Sequence, residues 1–408
     1  MSRRVVVTGM GGITALGNDW PSIRGHLAAG RTAIRRMEEW ERFTGVNTRL
    51  AAPVLGFEAP RHYPRKKTRT MGPVALMAVR ASECALIDAG LLDDKVLNSG
   101  RAGVAYGSSF GTPDAVLGFF ELRSEGASRN LSATSYIQMM SHTAPVNLGV
   151  FFGLTGRVIT TSSACTSGSQ GIGYAYEAIK WGKQDVMVAG GAEQLDITMA
   201  AVFDTLFATS TRNDEPSSTP RPYDVDRDGL VVGEGAATLV LEEREHALAR
   251  GARIYCELAG FASNSDGAHV TQPQAQTMAV ALRQALEDAN LPPDAVGYVN
   301  GHGTATEGGD IAETVATNAV YGARMPIQSL KGHFGHTLGA CGAIEAWLTI
   351  EMAREGWFAP TANLRTVDSR CAPLDYIMGE PRRFDVEHFV SNNFAFGGIN
   401  TSLVFRRV

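Results

Sequence analysis

Short β-branched runs alternate with helix-periodic stretches along this chain, and that alternation confines it to an α/β fold with buried sheets. The strand candidates are Arg4–Thr8, Ala102–Tyr106, Val158–Thr161, Val186–Ala189, Ala237–Leu241, Ile254–Gly260, Gly297–Asn300, Tyr376–Met378 and Ser402–Phe405. Helices are expected at Val74–Ala89, Ser167–Trp181, Met278–Ala289, Gly309–Val320 and Gly339–Arg354, the last stopping just before Gly356 as a helix end should. A chain of 408 residues, 44% hydrophobic, has room for two or three domains or for one large duplicated unit. An internal echo favours duplication. The run from Gly233 to Glu243 broadly resembles the run from Gly397 to Arg407, each placing glycine before a β-rich stretch that ends in charges. The expected division is residues 1–250 and 251–408. Within the first half, Ala208–Asp228 is rich in Ser, Thr, Pro, Asp and Arg, and a loop that long usually has a job.

Charge and composition exclude several classes. A net charge of -5 gives no general affinity for nucleic acid or anionic membranes. No run of 18 apolar residues is present, so no membrane span is expected, and the Met-Ser-Arg-Arg start has no signal-peptide pattern behind it. The five cysteines, Cys84, Cys165, Cys256, Cys341 and Cys371, are scattered and form no CxxC pair. Free thiols in a cytoplasmic enzyme are the simplest expectation.

Three segments could carry chemistry. In Arg157–Gly173 a strand runs through small residues into Cys165 and then into a glycine-punctuated helix. Cys165 would stand at a helix start, where the dipole and free N–H groups favour a thiolate, and it is either a nucleophile or a buried structural cysteine. His302 follows a strand between Gly301 and Gly303, glycines that would let a ligand approach the ring. Lys331, His333 and His336 precede a small-residue helix, and no third ligand of matching spacing accompanies the two histidines as a metal site would require. Two other patterns compete. Gly9-Met-Gly-Gly-Ile-Thr lacks the third glycine of a dinucleotide fingerprint, and Gly107-Ser-Ser-Phe-Gly is a formal GxSxG with Ser109 as a hydrolase nucleophile.

With these residues in view, the chain resembles the elongating β-ketoacyl-acyl-carrier-protein synthases, condensing enzymes of the thiolase superfamily. The markers are Ala164-Cys165-Thr166, the run from Arg221 to Gly229, His302 with Asp310 and Glu313, Lys331 with Gly335-His336, and Asn393-Phe-Ala-Phe-Gly-Gly-Ile-Asn. The resemblance implies a thiolase-like, five-layered αβαβα fold of two duplicated halves and a homodimer, with a heterodimer with a related ketosynthase as the alternative. It implies that Cys165 takes an acyl group from a carrier-protein phosphopantetheine or coenzyme A. His302 and His336 would stabilise the enolate left when a malonyl thioester decarboxylates. The N–H groups of Cys165 and Phe396 would hold the oxyanion, Phe394 and Phe396 would gate the site, and Lys331 would order the histidines through Glu313. No metal or redox cofactor is implied.

Departures from the family pattern raise questions of specificity. Leu230 replaces the usual phenylalanine after Arg-Asp-Gly, and His333 adds a third histidine near the site. Phe110 falls where relatives line the far end of an acyl tunnel, so short, aromatic or polyene acyl groups are expected, as in aryl-polyene or other secondary-metabolite synthesis. Carrier docking is expected at Lys66, Lys67, Arg69 and Arg212, with Arg65, Arg123 and Arg129 nearby in pattern. The rival readings are a serine hydrolase using Ser109 and a silent chain-length partner, which would lack the nucleophile. A thiolase would use a second cysteine as base, so the surroundings of Cys341 matter.

Overall fold

The computed structural model of the chain describes residues 2–408. Its centre is an 11-stranded sheet whose order shows the duplication directly. One half runs Val158–Thr161, Ala102–Gly107, Val186–Glu193, Gly235–Glu243, Val5–Thr14. The other runs Pro326–Gln328, Val296–Asn300, His388–Ala395, Ile399–Arg407, Cys256–Ser265, with Asp375–Tyr376 added at its outer edge. By position in the chain, both halves have the order third, second, fourth, fifth, first. In each, the first two neighbour pairs are parallel and the last two antiparallel. The halves join through their first strands, Val5 opposite Leu258. The echo between Gly233–Glu243 and Gly397–Arg407 thus falls on equivalent strands, each the last of its half.

Burial on both faces explains why these strands read as continuous apolar runs rather than alternations. Every residue of Val5–Thr14 is buried, which carries that strand well past the expected Thr8. Gly9 and Gly11, which imitated a dinucleotide fingerprint, lie inside it. A Cβ on Gly9 would come within 2.2 Å of the Ala85 carbonyl oxygen, so the glycines let helix Pro73–Asp88 sit directly on the strand.

Helix Ala275–Ala289 covers the other half, and helices Ser167–Lys180 and Cys341–Glu355 pack on each other between the two halves. The layers are therefore helix, sheet, helix pair, sheet, helix. Cys341–Glu355 is buried on nearly every side, and small and apolar residues fall all round it, with Glu345, Thr349 and Glu351 buried among them. Gly356 ends it in a left-handed conformation, φ 57°. No helix among the described residues is long and apolar enough to cross a membrane.

The two central helices begin alike. A one-turn 3-10 segment, Ala164–Thr166 or Leu338–Ala340, precedes each, and its first residue has positive φ, 51° at Ala164 and 47° at Leu338. The duplication therefore sets Gly339 in the place that Cys165 holds in the other half. Strained L-residues at such turns expose the following atom sharply and are characteristic of functional sites.

Candidate active site

Cys165, His302 and His336 converge at one cavity of about 240 Å³, walled chiefly by Phe203, Leu206, Leu230, Met278, Phe394 and Phe396. Strand Val158–Thr161 and helix Ser167–Lys180 hold Cys165 between them. His302 sits on the turn after strand Val296–Asn300, and His336 on the turn before helix Cys341–Glu355. The His336 Nε2 lies 3.0 Å from the Cys165 Sγ, and the two imidazoles meet edge to face with centroids 5.1 Å apart.

The partners of each Nδ1 decide what these rings can do. The Leu338 N–H donates to His336 Nδ1 at 3.1 Å. Lys331 Nζ donates to His302 Nδ1 at 3.1 Å, and Asn393 Nδ2 donates to the same atom at 3.3 Å. Both Nδ1 atoms are acceptors, so in each neutral ring the proton sits on Nε2. Burial, and then the nearby Lys331 charge, hold both imidazoles well below the usual histidine range. The site therefore presents two neutral rings with N–H groups directed into one cavity, and neither is a ready base.

Lys331 remains an ammonium. Its burial works against the charge, but Glu345, with which it forms a fully buried ion pair, outweighs that cost and raises the lysine. Asn393 Nδ2 also donates to Glu345 Oε2 at 2.7 Å, which closes a ring of Lys331, Glu345, Asn393 and His302. This corrects the expectation that Lys331 works through Glu313. Glu313 instead accepts the backbone N–H groups of His302 and Gly303, and Asp310 accepts those of Tyr223 and Ala305. Both carboxylates brace the His302 turn from behind. The sequence gives no signal for Glu345, and Asn393 stands there only at the head of a marker, with no role of its own.

Burial pushes the Cys165 thiol up to about 12, against the opposing pull of Lys331 and the N–H groups of Phe396 and Cys165 itself. The thiolate expected from the helix start is therefore not the resting form, because dehydration of the sulfur outweighs its donors. The same two N–H groups are placed to hold an oxyanion beside the sulfur. Cys341 does not face the cavity: its Sγ donates to the Cys165 carbonyl at 3.2 Å, and burial raises it far above its ordinary value.

The cluster of Cys165, His302 and His336 has the composition of a metal site. Its surroundings oppose one. A ligating histidine normally donates its other ring N–H to an acceptor, whereas both Nδ1 atoms here receive protons from donors.

The remaining expected residues are distributed as follows. Phe394 lies 6.2 Å from His302 ring to ring, and Phe396 rests on Phe203 at the cavity mouth. Leu230 lines the cavity, where a phenylalanine would take up more of it. His333 does not reach the site, since its Nδ1 and Nε2 face the carbonyls of Arg31 and Pro360 at 3.0 and 2.9 Å. Phe110 is 45% exposed on the turn after strand Ala102–Gly107 and does not line the cavity of the isolated chain. The reason is local: Ser109 N–H is tied to Glu193 at 2.9 Å and Gly111 N–H to Ser108 Oγ at 3.0 Å, so the chain turns outward. Ser109 is half-buried against Glu193 and has no histidine beside it among the described residues. Arg65, Lys66 and Arg69 are exposed, Lys67 caps the Phe151 carbonyl at 2.6 Å, and Arg212 donates to the Asp226 carbonyl at 2.9 Å. Arg123 and Arg129 are exposed.

Known proteins are similar to this chain in sequence and fold. The Beta-ketoacyl synthase N-terminal domain matches residues 2–247 and the C-terminal domain residues 255–365. The 3-oxoacyl-[acyl-carrier-protein] synthase 2 of Vibrio harveyi is 38% identical over 100% of this chain and 99% of its own length. A Beta-ketoacyl synthase from Burkholderia phymatum STM815 has a crystal structure that superposes with TM-score 0.99 at 61% identity, over 100% of both chains. A ketosynthase solved with its type II PKS acyl-carrier protein and bound hexaketide has TM-score 0.89 at 30% identity, again over 100% of both chains. With a duplicated thiolase-like fold, a cysteine at the turn of one central helix and two neutral imidazoles beside it, the chain belongs to the β-ketoacyl synthase family.

Proposed function

We propose that the protein catalyses decarboxylative Claisen condensation of an acyl group on Cys165 with a malonyl thioester carried by an acyl carrier protein. The observation that carries this reading is the pair of Nε2–H donors beside the Cys165 sulfur, each set by a donor on its Nδ1. The Cys165 sulfur attacks the incoming thioester carbonyl, and the carrier thiol leaves with the proton. A malonyl thioester then binds with its carbonyl oxygen between His302 and His336. Its carboxylate departs as carbon dioxide, and the electron pair of the broken bond becomes an enolate held by the two N–H groups. The enolate carbon attacks the acyl-Cys165 carbonyl, the N–H groups of Cys165 and Phe396 hold the oxyanion, and collapse releases the thiolate, which takes up a proton. Removing one such donor typically costs about 10²–10³ in rate. The negative charge is met by N–H dipoles at each step, so the scheme draws on no metal or redox cofactor.

The carrier is proposed to dock on the exposed Arg65, Lys66 and Arg69, with Lys67 and Arg212 as secondary contacts. A second copy is proposed to cover the edge strand Val158–Thr161 and the exposed Phe110 beyond it, with a heterodimer as the alternative. The proposed division is residues 1–250 and 251–408, a reading that the two equivalent halves of the sheet support. Fatty-acid or secondary-metabolite synthesis in the cytoplasm is the proposed setting, with short, aromatic or polyene acyl groups as cargo. Phe110→Gly tests the cargo: activity on longer chains should rise, and an unchanged chain-length profile counts against Phe110 as the limit.

Treatment with iodoacetamide and, separately, with a fluorophosphonate should label Cys165 and spare Ser109, as mapped by mass spectrometry. Inactivation on Ser109 labelling alone would overturn the proposal in favour of a hydrolase. Because the thiol sits at about 12, the alkylation rate should climb about tenfold per pH unit from pH 7 to 9. A rate already flat at pH 7 would mean a resting thiolate.

A further inference from the structure

We propose that Tyr223 is a positioning residue for His302, acting through Glu313 and through direct packing against the two glycines that flank the histidine. The inference deepens the reading of His302 as a donor to the substrate carbonyl and rests on it. Tyr223 belongs to the long loop 208–228, and its side chain is fully buried. Its hydroxyl donates to Glu313 Oε2 at 3.2 Å. Glu313 in turn accepts the backbone N–H of His302 and, at 2.7 Å, that of Gly303. One carboxylate thus gathers the phenol and two successive amides of the turn that carries the catalytic ring.

The glycines show how closely the phenol is set. A Cβ on Gly301 would stand 2.2 Å from the Tyr223 hydroxyl oxygen, and one on Gly303 would stand 2.6 Å from it. Gly303 also lines the cavity, and the space behind both glycines is filled by Tyr223. The tyrosine is itself held under strain. Its φ is 66°, a left-handed conformation that an L-residue adopts only when its surroundings require it. Those surroundings are specific: Tyr223 N–H donates to Asp310 Oδ2 at 2.7 Å, its carbonyl accepts from Asp368 N–H at 2.9 Å, and its ring lies 5.4 Å from that of Tyr376. The long loop thus has a job, which is to drive one side chain into the back of the His302 turn.

The arrangement has a pH consequence. Burial raises the Glu313 carboxyl to about 7 against the opposing pull of the Gly303 and His302 N–H groups. The other titratable or charged groups facing it are Asp310, whose charge raises it, Lys331, whose charge lowers it, and the two phenols Tyr223 and Tyr376, with Arg227 behind Asp310. The Tyr223 hydroxyl favours the ionised carboxylate, the form that can accept both backbone amides. Its removal moves the midpoint of Glu313 upward.

Tyr223→Phe removes only the hydroxyl and keeps the buried ring. The test uses the full-length enzyme, with histidine labelled at ¹³Cε1 and the His302 signal assigned from a His302→Asn variant. The His302 signal should titrate with a midpoint that rises by about half to one pH unit in Tyr223→Phe. The acid limb of malonyl-thioester decarboxylation should shift the same way, with KM little changed and kcat at pH 7 reduced several-fold. Glu313→Gln should remove the titration. Identical titrations in wild type and Tyr223→Phe overturn the proposal, as does a kcat loss with no shift in the pH profile, which marks the hydroxyl as merely structural. The nuclear magnetic resonance arm does not depend on turnover. A wild-type enzyme that fails to decarboxylate malonyl thioesters would therefore count against the proposed function and leave the Tyr223 result readable.

Discussion

Cys165→Ala should abolish acyl transfer and condensation, by at least about 10⁴-fold, while leaving decarboxylation of a malonyl thioester measurable. The two outcomes separate because the sulfur and the imidazoles are held by different parts of the fold. His336 keeps its Nε2 proton because the Leu338 N–H occupies Nδ1, and His302 keeps its own because Lys331 and Asn393 do. None of these contacts passes through the sulfur. The substitution also spares the Cys341 contact, which is made to the Cys165 carbonyl rather than its side chain. Losing one buried sulfur should cost about 1 kcal/mol in stability, too little to unfold a domain of this size. Release of labelled carbon dioxide from a malonyl thioester, measured alongside acyl-enzyme formation, provides the comparison. If both fall together, the imidazole donors do not stabilise the enolate independently of the nucleophile, and the two-stage scheme fails.

The residues legible in the sequence are those whose chemistry and local geometry coincide. Cys165, His302, His336 and Lys331 all stand at turns marked by small residues or glycine, and such turns can be read one segment at a time. Glu345 and Asn393 could not be found in this way. Glu345 lies within helix Cys341–Glu355, where a glutamate ordinarily means a solvent-facing position, and only the central placement of that helix turns it inward to Lys331. Asn393 belongs to strand His388–Ala395, whose run Ser391-Asn392-Asn393 has the polarity of a loop, so the whole strand was missed. Those polar side chains are fully buried because the sheet there backs the active site rather than an apolar core. Phe110 is a different case. Its position along the chain matches a tunnel wall by resemblance, and the single chain leaves it exposed, so local geometry alone does not place it on the cavity.

Lys331→Met should both destabilise the protein and impair the chemistry, and a second substitution should separate the two effects. The lysine forms a buried ion pair with Glu345, so its removal leaves a carboxylate without its counter-charge, at a cost of about 3–5 kcal/mol when that group is ionised. Burial already raises the Glu345 carboxyl, and losing the ammonium must raise it further. An acid whose folded pKa lies above its unfolded value contributes stability below the unfolded value and loses it as pH rises through the folded one. The melting temperature of Lys331→Met should therefore fall as pH rises above the ordinary carboxylate range, relative to wild type. Lys331→Met combined with Glu345→Gln removes the stranded charge, so its melting temperature should recover and lose that pH dependence. Activity should not recover. Without the ammonium, His302 Nδ1 keeps only the longer 3.3 Å contact from Asn393, and the proton is held on Nε2 less firmly. Decarboxylation should stay about 10²-fold below wild type in the double variant. Recovery of both stability and decarboxylation would mean that Lys331 serves only to neutralise Glu345 and has no part in setting the His302 tautomer.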